Sequence, residues 1–172
     1  MTDMFDKVTA QQDVIRKLLG KIPGFKGYFE RENRRNSDKI VRDAIANRFD
    51  EIWNRISTLQ RELIREGNLE SVGDLESAAI KIRQFSDRIE KASYGYSGFF
   101  DAVKVNEAEL AQVYQYDLSM LDLADQIEKA VDNVEASFKS EGLPAAIRNL
   151  VTLSDQAVQT FNRRADVLTG IS

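Results

Sequence analysis

The chain has 172 residues, 42% hydrophobic and 30% charged, with a net charge of −4 and neither His nor Cys. The length fits one domain. The missing residue types exclude disulfide staples and remove the usual catalytic and metal-binding side chains, and the acidic balance argues against general nucleic-acid binding.

No run approaches the roughly 18 apolar residues of a membrane span. The first residues, with Asp3, Asp6 and Lys7, lack an apolar signal core. A cytoplasmic protein is expected.

Apolar residues recur at helical spacing almost throughout. Met4, Phe5, Val8, Ile15, Leu18 and Leu19 give an N-terminal amphipathic helix over 1–20, with Gly20 at its end. Ile22-Pro23-Gly24-Phe25-Lys26-Gly27-Tyr28-Phe29 breaks the helix yet carries three aromatics, so a tight, packed connection is expected. A long helix then starts at Phe29 or Ser37 and ends at Glu66-Gly67-Asn68. Its stripe is Val41, Ile45, Phe49, Ile52, Ile56, Leu59 and Leu63, widened by Trp53 and Ile64, all expected to face the core. Its first part, Glu30 to Ser37, has no apolar residue and is expected to project into solvent or fray.

The third helix covers about 69–93, on Val72, Leu75, Ala79, Ile82, Phe85 and Ile89. Tyr94, Tyr96, Phe99 and Phe100 then crowd a Gly-containing connection too apolar for a solvated loop. Asn106, with Glu109 three residues on, resembles a capping box for the fourth helix. That helix runs on Leu110, Val113, Tyr114, Leu118, Leu121, Ala124, Ile127, Val131, Val134 and Phe138. Leu143-Pro144 opens the fifth, on Ile147, Leu150, Val151, Ala157, Val158, Phe161, Ala165 and Leu168.

Sliding the chain so that Glu66-Gly67 meets Glu141-Gly142 aligns Ile52 with Ile127, Ile56 with Val131 and Leu63 with Phe138. Two similar helical hairpins give this match, as does shared periodicity alone. The expected fold is an all-α, antiparallel four-helix bundle of two long hairpins (29–93 and 106–170) plus the short N-terminal helix, one domain over 1–172. Helices of 30 residues make a rod of about 45 Å.

Charge is segregated. Phe25 to Arg42 holds six basic residues against three acidic, while Asp101 to Glu141 holds ten acidic against three Lys. These can meet within one chain or between copies.

Sites for chemistry are few. A di-iron bundle centre needs Glu-x-x-His pairs and fails without His. Asp117, Asp122 and Asp125 read as a solvated acidic face. Gly24-Phe25-Lys26-Gly27 matches a phosphate-clamping G-x-x-G only in letters, because no strands accompany it. No catalytic residue, cofactor or metal is therefore expected.

Ile22 to Tyr28 with Arg34-Arg35 and Asp38-Lys39, followed by Tyr94 to Lys104, forms a distinctive pair of segments. The pair resembles an uncharacterised family of bacterial all-helical proteins with no established activity, over most of the chain from Ile22 onward. The resemblance implies a bacterial source and a helical fold, and it brings no catalytic residues.

The expected function is a non-enzymatic scaffold or adaptor that binds a protein partner or itself. Phe25, Tyr28, Arg34, Arg35, Tyr94, Tyr96, Phe99 and Phe100 form the candidate interaction surface if exposed. The alternatives are a peripheral membrane protein holding anionic lipid through the N-terminal helix and the basic arm, and a small-ligand binder or enzyme with a carboxylate- or Tyr-lined cavity between helices.

Overall fold

The computed structural model describes residues 2–91 and 107–169, with the side chains of residues 2–8, 31 and 107 outside that description. Tyr94, Tyr96, Phe99, Phe100 and the Asn106 cap also lie outside the described residues. Among those described, the protein is all-α: α1 (Thr2–Lys21), α2 (Arg34–Arg65), α3 (Leu69–Lys91), α4 (Glu107–Ala136) and α5 (Leu143–Thr169).

Turn chemistry makes the first hairpin. Gly67 adopts φ 77°. Its N–H and that of Asn68 donate to the carbonyls of Ile64 and Leu63, at 3.0 Å each, the paired bonds of a Schellman stop. The Asn68 side chain then accepts from the N–H of Ser71, starting α3 one residue after the turn. In the second hairpin, 3-10-type turns around Ser140 lead into Leu143 and Pro144.

The two hairpins lie side by side and point the same way. Arg48 bonds Asp125 and Arg55 bonds Asp132, each pair 77 residues apart. Lys81 bonds Asp155 and Arg88 bonds Asn162, each pair 74 apart. A constant separation along two helices means that they run parallel and in step. Helices are thus antiparallel within each hairpin, while α2 lies parallel to α4 and α3 parallel to α5. Both hairpin turns sit at one end. The starts of α2 and α4 and the ends of α3 and α5 share the other, the open end. The sequence offset that aligns Gly67 with Gly142 lies close to these separations.

The α2 stripe from Val41 to Leu63 is buried throughout, and the stripes of α3, α4 and α5 close on it. Phe49, Phe85 and Phe161 stack with centroids 4.5 and 5.6 Å apart, joining α2, α3 and α5. Trp53 is half-buried under Arg83, whose guanidinium lies 5.1 Å from its ring. Two expected stripe residues face out instead, Leu19 at 46% and Ile64 at 53% exposure. Each directly follows a fully buried residue, Leu18 or Leu63, and so lies about 100° further round its helix, off the packed face.

Helix α1 packs along α4, burying Leu18, half-burying Val14 and Ile15, and placing Lys21 against Asp122 and Asp125. The chain then returns toward the open end. Ile22, Phe25 and Tyr28 are all buried, so the connection is packed as expected, except that Phe29 at its end is exposed. The stretch from Glu30 to Ser37 does not project or fray. A 3-10 turn at Arg31–Asn33 feeds α2 at Arg34. Ser37 is buried, its Oγ donating to the Gly27 carbonyl at 2.8 Å. Polar side chains anchor this stretch by satisfying carbonyls of the preceding connection.

Candidate functional site

The open end holds a buried ion network. Arg164 on α5 donates from Nε to Asp117 on α4 and from Nη2 to Asp38 on α2, at 2.6 Å each. Arg42, one turn after Asp38, donates to its other oxygen at 2.8 Å. Nη1 of Arg42 also bonds the carbonyls of Ile89 and Glu90, 3.1 Å each, in the last turn of α3. The Tyr28 hydroxyl donates to Asp117 at 2.6 Å and accepts from Arg164 at 3.3 Å. Two arginines thus face two aspartates, and four helices plus the Ile22–Phe29 connection meet at one point. Unpaired ions in such an interior cost several kcal/mol each, so mutual compensation is what permits their burial.

The titrations follow from this packing. Burial pushes the Asp117 carboxyl above its ordinary value, while Arg164 and the Tyr28 hydroxyl pull it back. Burial, then the Asp117 charge, raises the Tyr28 hydroxyl well above its ordinary 10.0, so at neutral pH Tyr28 remains a protonated donor. Asp117, Arg164 and Tyr28 are all 0% exposed. Shut away from solvent, they tie α2, α4, α5 and the Ile22–Phe29 connection together.

A cleft opens beside this network. It encloses about 740 Å³ between the middle of α1 and the first turns of α4. Its lining is mainly apolar, including Val14, Ile15, Phe29 and Leu110, with Gln11, Gln112 and Gln115 among the polar groups. Phe29 is 66% exposed although its ring centroid lies 6.0 Å from that of Tyr114.

Tyr28 is the hinge between cleft and network. Its N–H donates to the Tyr114 hydroxyl at 2.5 Å, and its carbonyl accepts from Arg34 Nε at 2.7 Å. Both Tyr114 and Arg34 line the cleft. Gly27 is required here: its φ is 87°, and a Cβ would lie 2.8 Å from the Tyr114 hydroxyl.

The structure separates the residues expected to form one recognition surface. Phe25, Tyr28 and Arg34 are buried, while Arg35 is exposed. Phe25 and Tyr28 are therefore not contact residues. Their rings pack edge-on at 5.5 Å and close the core of the open end. Arg34 is turned inward by its bond to the Tyr28 carbonyl.

Asp117 overturns the expectation of a solvated face: Asp122 and Asp125 point outward, but Asp117 is inside. The signal was present. Asp117 falls on the stripe Val113-Tyr114-Leu118-Leu121, and Arg164 falls between Phe161 and Leu168 on theirs. A charge on an apolar stripe calls for an opposite charge on a facing one. Among the described residues no three His, Cys, Asp or Glu side chains are grouped to hold a metal ion, and no helix is long and apolar enough to cross a membrane.

No protein-family model, no curated protein and no solved structure matches the chain.

Proposed function

We propose that this protein is a non-enzymatic helical adaptor that docks an extended segment of a partner protein in the cleft between α1 and α4. One observation carries the reading: a mostly apolar cleft of about 740 Å³, with Phe29 exposed in its wall, beside a connection locked by buried ion pairs. Its volume lies within the range of roughly 300–1,000 Å³ typical of ligand sites. The apolar wall suits side chains, and the three glutamine amides both donate and accept, as a peptide main chain requires.

Two features favour this reading over anionic-lipid binding. Arg42 of the basic arm is turned inward onto Asp38, which removes its charge from the surface. The acidic α4 also faces Lys21, Arg48 and Arg55 across the fold.

The test is selection of random peptides on the wild-type protein, followed by rebinding to Ala111→Trp, which fills the cleft from α4. Enriched peptides are expected to lose at least tenfold in affinity for the variant. Peptides that bind both proteins equally, or a library with no enrichment, would refute the reading.

A further inference from the structure

Arg34 stands at the open end outside the ion network, buried in the wall of the cleft. It is 9% exposed. Nε donates to the Tyr28 carbonyl, yet Nη1 is buried with no hydrogen-bond partner. The carboxylates of the network are taken by Arg42 and Arg164, and no carboxylate among the described residues pairs with Arg34. A guanidinium always carries its charge and presents donors in a planar fork suited to a carboxylate. Leaving such a group largely desolvated and unpaired is costly. Nη1 itself is closed off, but Arg34 lines the cleft wall through the part that is still exposed, and an anion delivered there by whatever occupies the cleft would offset its charge.

We infer that Arg34 captures the terminal carboxylate of the docked segment, so that the cleft recognises the free C-terminus of a partner chain ending in an aliphatic or aromatic residue. This rests on the adaptor reading above. Three features fix the occupant's chemistry. The single unpaired cation selects one anionic group. Val14, Ile15, Phe29 and Leu110 provide an apolar wall for the last side chain. Gln11, Gln112 and Gln115 match main-chain amides, and an alkyl chain of a fatty acid would leave those three groups without use. Arg34 is held by the Tyr28 carbonyl, itself part of the connection that the network immobilises, so its orientation is set before the ligand arrives. That preorganisation lowers the ordering cost of binding.

The experiment is a set of decapeptides ending in Leu, Ile, Val or Phe and random elsewhere, made once with a free carboxylate and once as the C-terminal amide. Dodecanoate serves as a separate probe. On the wild-type protein the acid forms are expected to bind roughly tenfold or more tighter than the amides, the size of a charge-assisted contact. Arg34→Gln should remove the preference, and Arg35→Gln, a change one residue along on the exposed side, should keep it. The wild-type comparison of acid with amide needs no variant, so a folding defect in Arg34→Gln does not blunt the test. Equal binding of acids and amides, both lost in Ala111→Trp, would overturn the carboxylate anchor while leaving the adaptor reading intact. Binding of dodecanoate with no peptide bound would overturn both, because the occupant would then be a lipid acyl chain.

Discussion

Arg164 is the largest fully buried side chain described in this protein, and it holds two carboxylates at once. The Asp38 and Asp117 charges would repel each other across the core without it. Removing one member of a buried ionic set leaves its partners charged and unsatisfied, at a cost of about 3–5 kcal/mol, whereas removing partners together often costs far less. Arg164→Met should therefore lower the unfolding free energy by about that amount in urea melts. Adding Asp117→Leu to Arg164→Met should recover a substantial part of the loss, because Asp38 retains Arg42. Simple addition of the two single-mutant effects would show that the network is not coupled. None of this was visible in residue types taken one at a time. Asp38, Arg42, Asp117 and Arg164 look like ordinary surface charges until their positions on apolar stripes are noticed, and their pairing needs the register between hairpins.

Among the elements, the long helices were the most legible part of the chain, because repeating apolar steps and a Gly stop determine them locally. The Ile22–Phe29 connection was legible as packed, but not its role. A glycine of this connection and the glycine of the first hairpin turn meet different surroundings, and only the fold reveals this. Gly67 and Gly27 both take positive φ, 77° and 87°. A Cβ on Gly67 meets nothing within 4 Å, whereas one on Gly27 strikes the Tyr114 hydroxyl that receives the Tyr28 N–H. Gly67→Ala should cost about 1 kcal/mol from backbone strain alone. Gly27→Ala should cost about 2–4 kcal/mol, since Tyr114 must move and surrender a buried hydrogen bond as well. Thermal melts of the two variants compare them directly. Equal losses would show that Tyr114 yields freely and that the connection is not locked to α4.

At the scale of the whole molecule, most acids of α4 are partnered inside one chain, by Lys21, Arg48 and Arg55, which flank the basic stretch Phe25 to Arg42 rather than belong to it. Asp125 accepts from Arg48 at 2.7 Å and from Lys21 at 3.2 Å, so one carboxylate ties α1 and α2 to α4. Burial tends to raise its titration, but those two hydrogen bonds and the charges behind them bring it below its ordinary value. A lowered folded-state value means that its contribution is present above the ordinary carboxylate range and is lost as pH falls through and below it. Its side chain is 43% exposed, so solvent screens much of the attraction. Asp125→Asn should accordingly cost only about 1 kcal/mol at pH 7 and low salt. That difference should shrink by half or more in 1 M salt, where the screening length is about 3 Å, and should also fade as pH drops below 4. Because the acids of α4 are engaged within the chain, light scattering should give one molar mass at low and high salt. A mass that falls as salt rises would instead show that basic and acidic helices meet between copies, and the internal pairing would no longer account for the charge pattern.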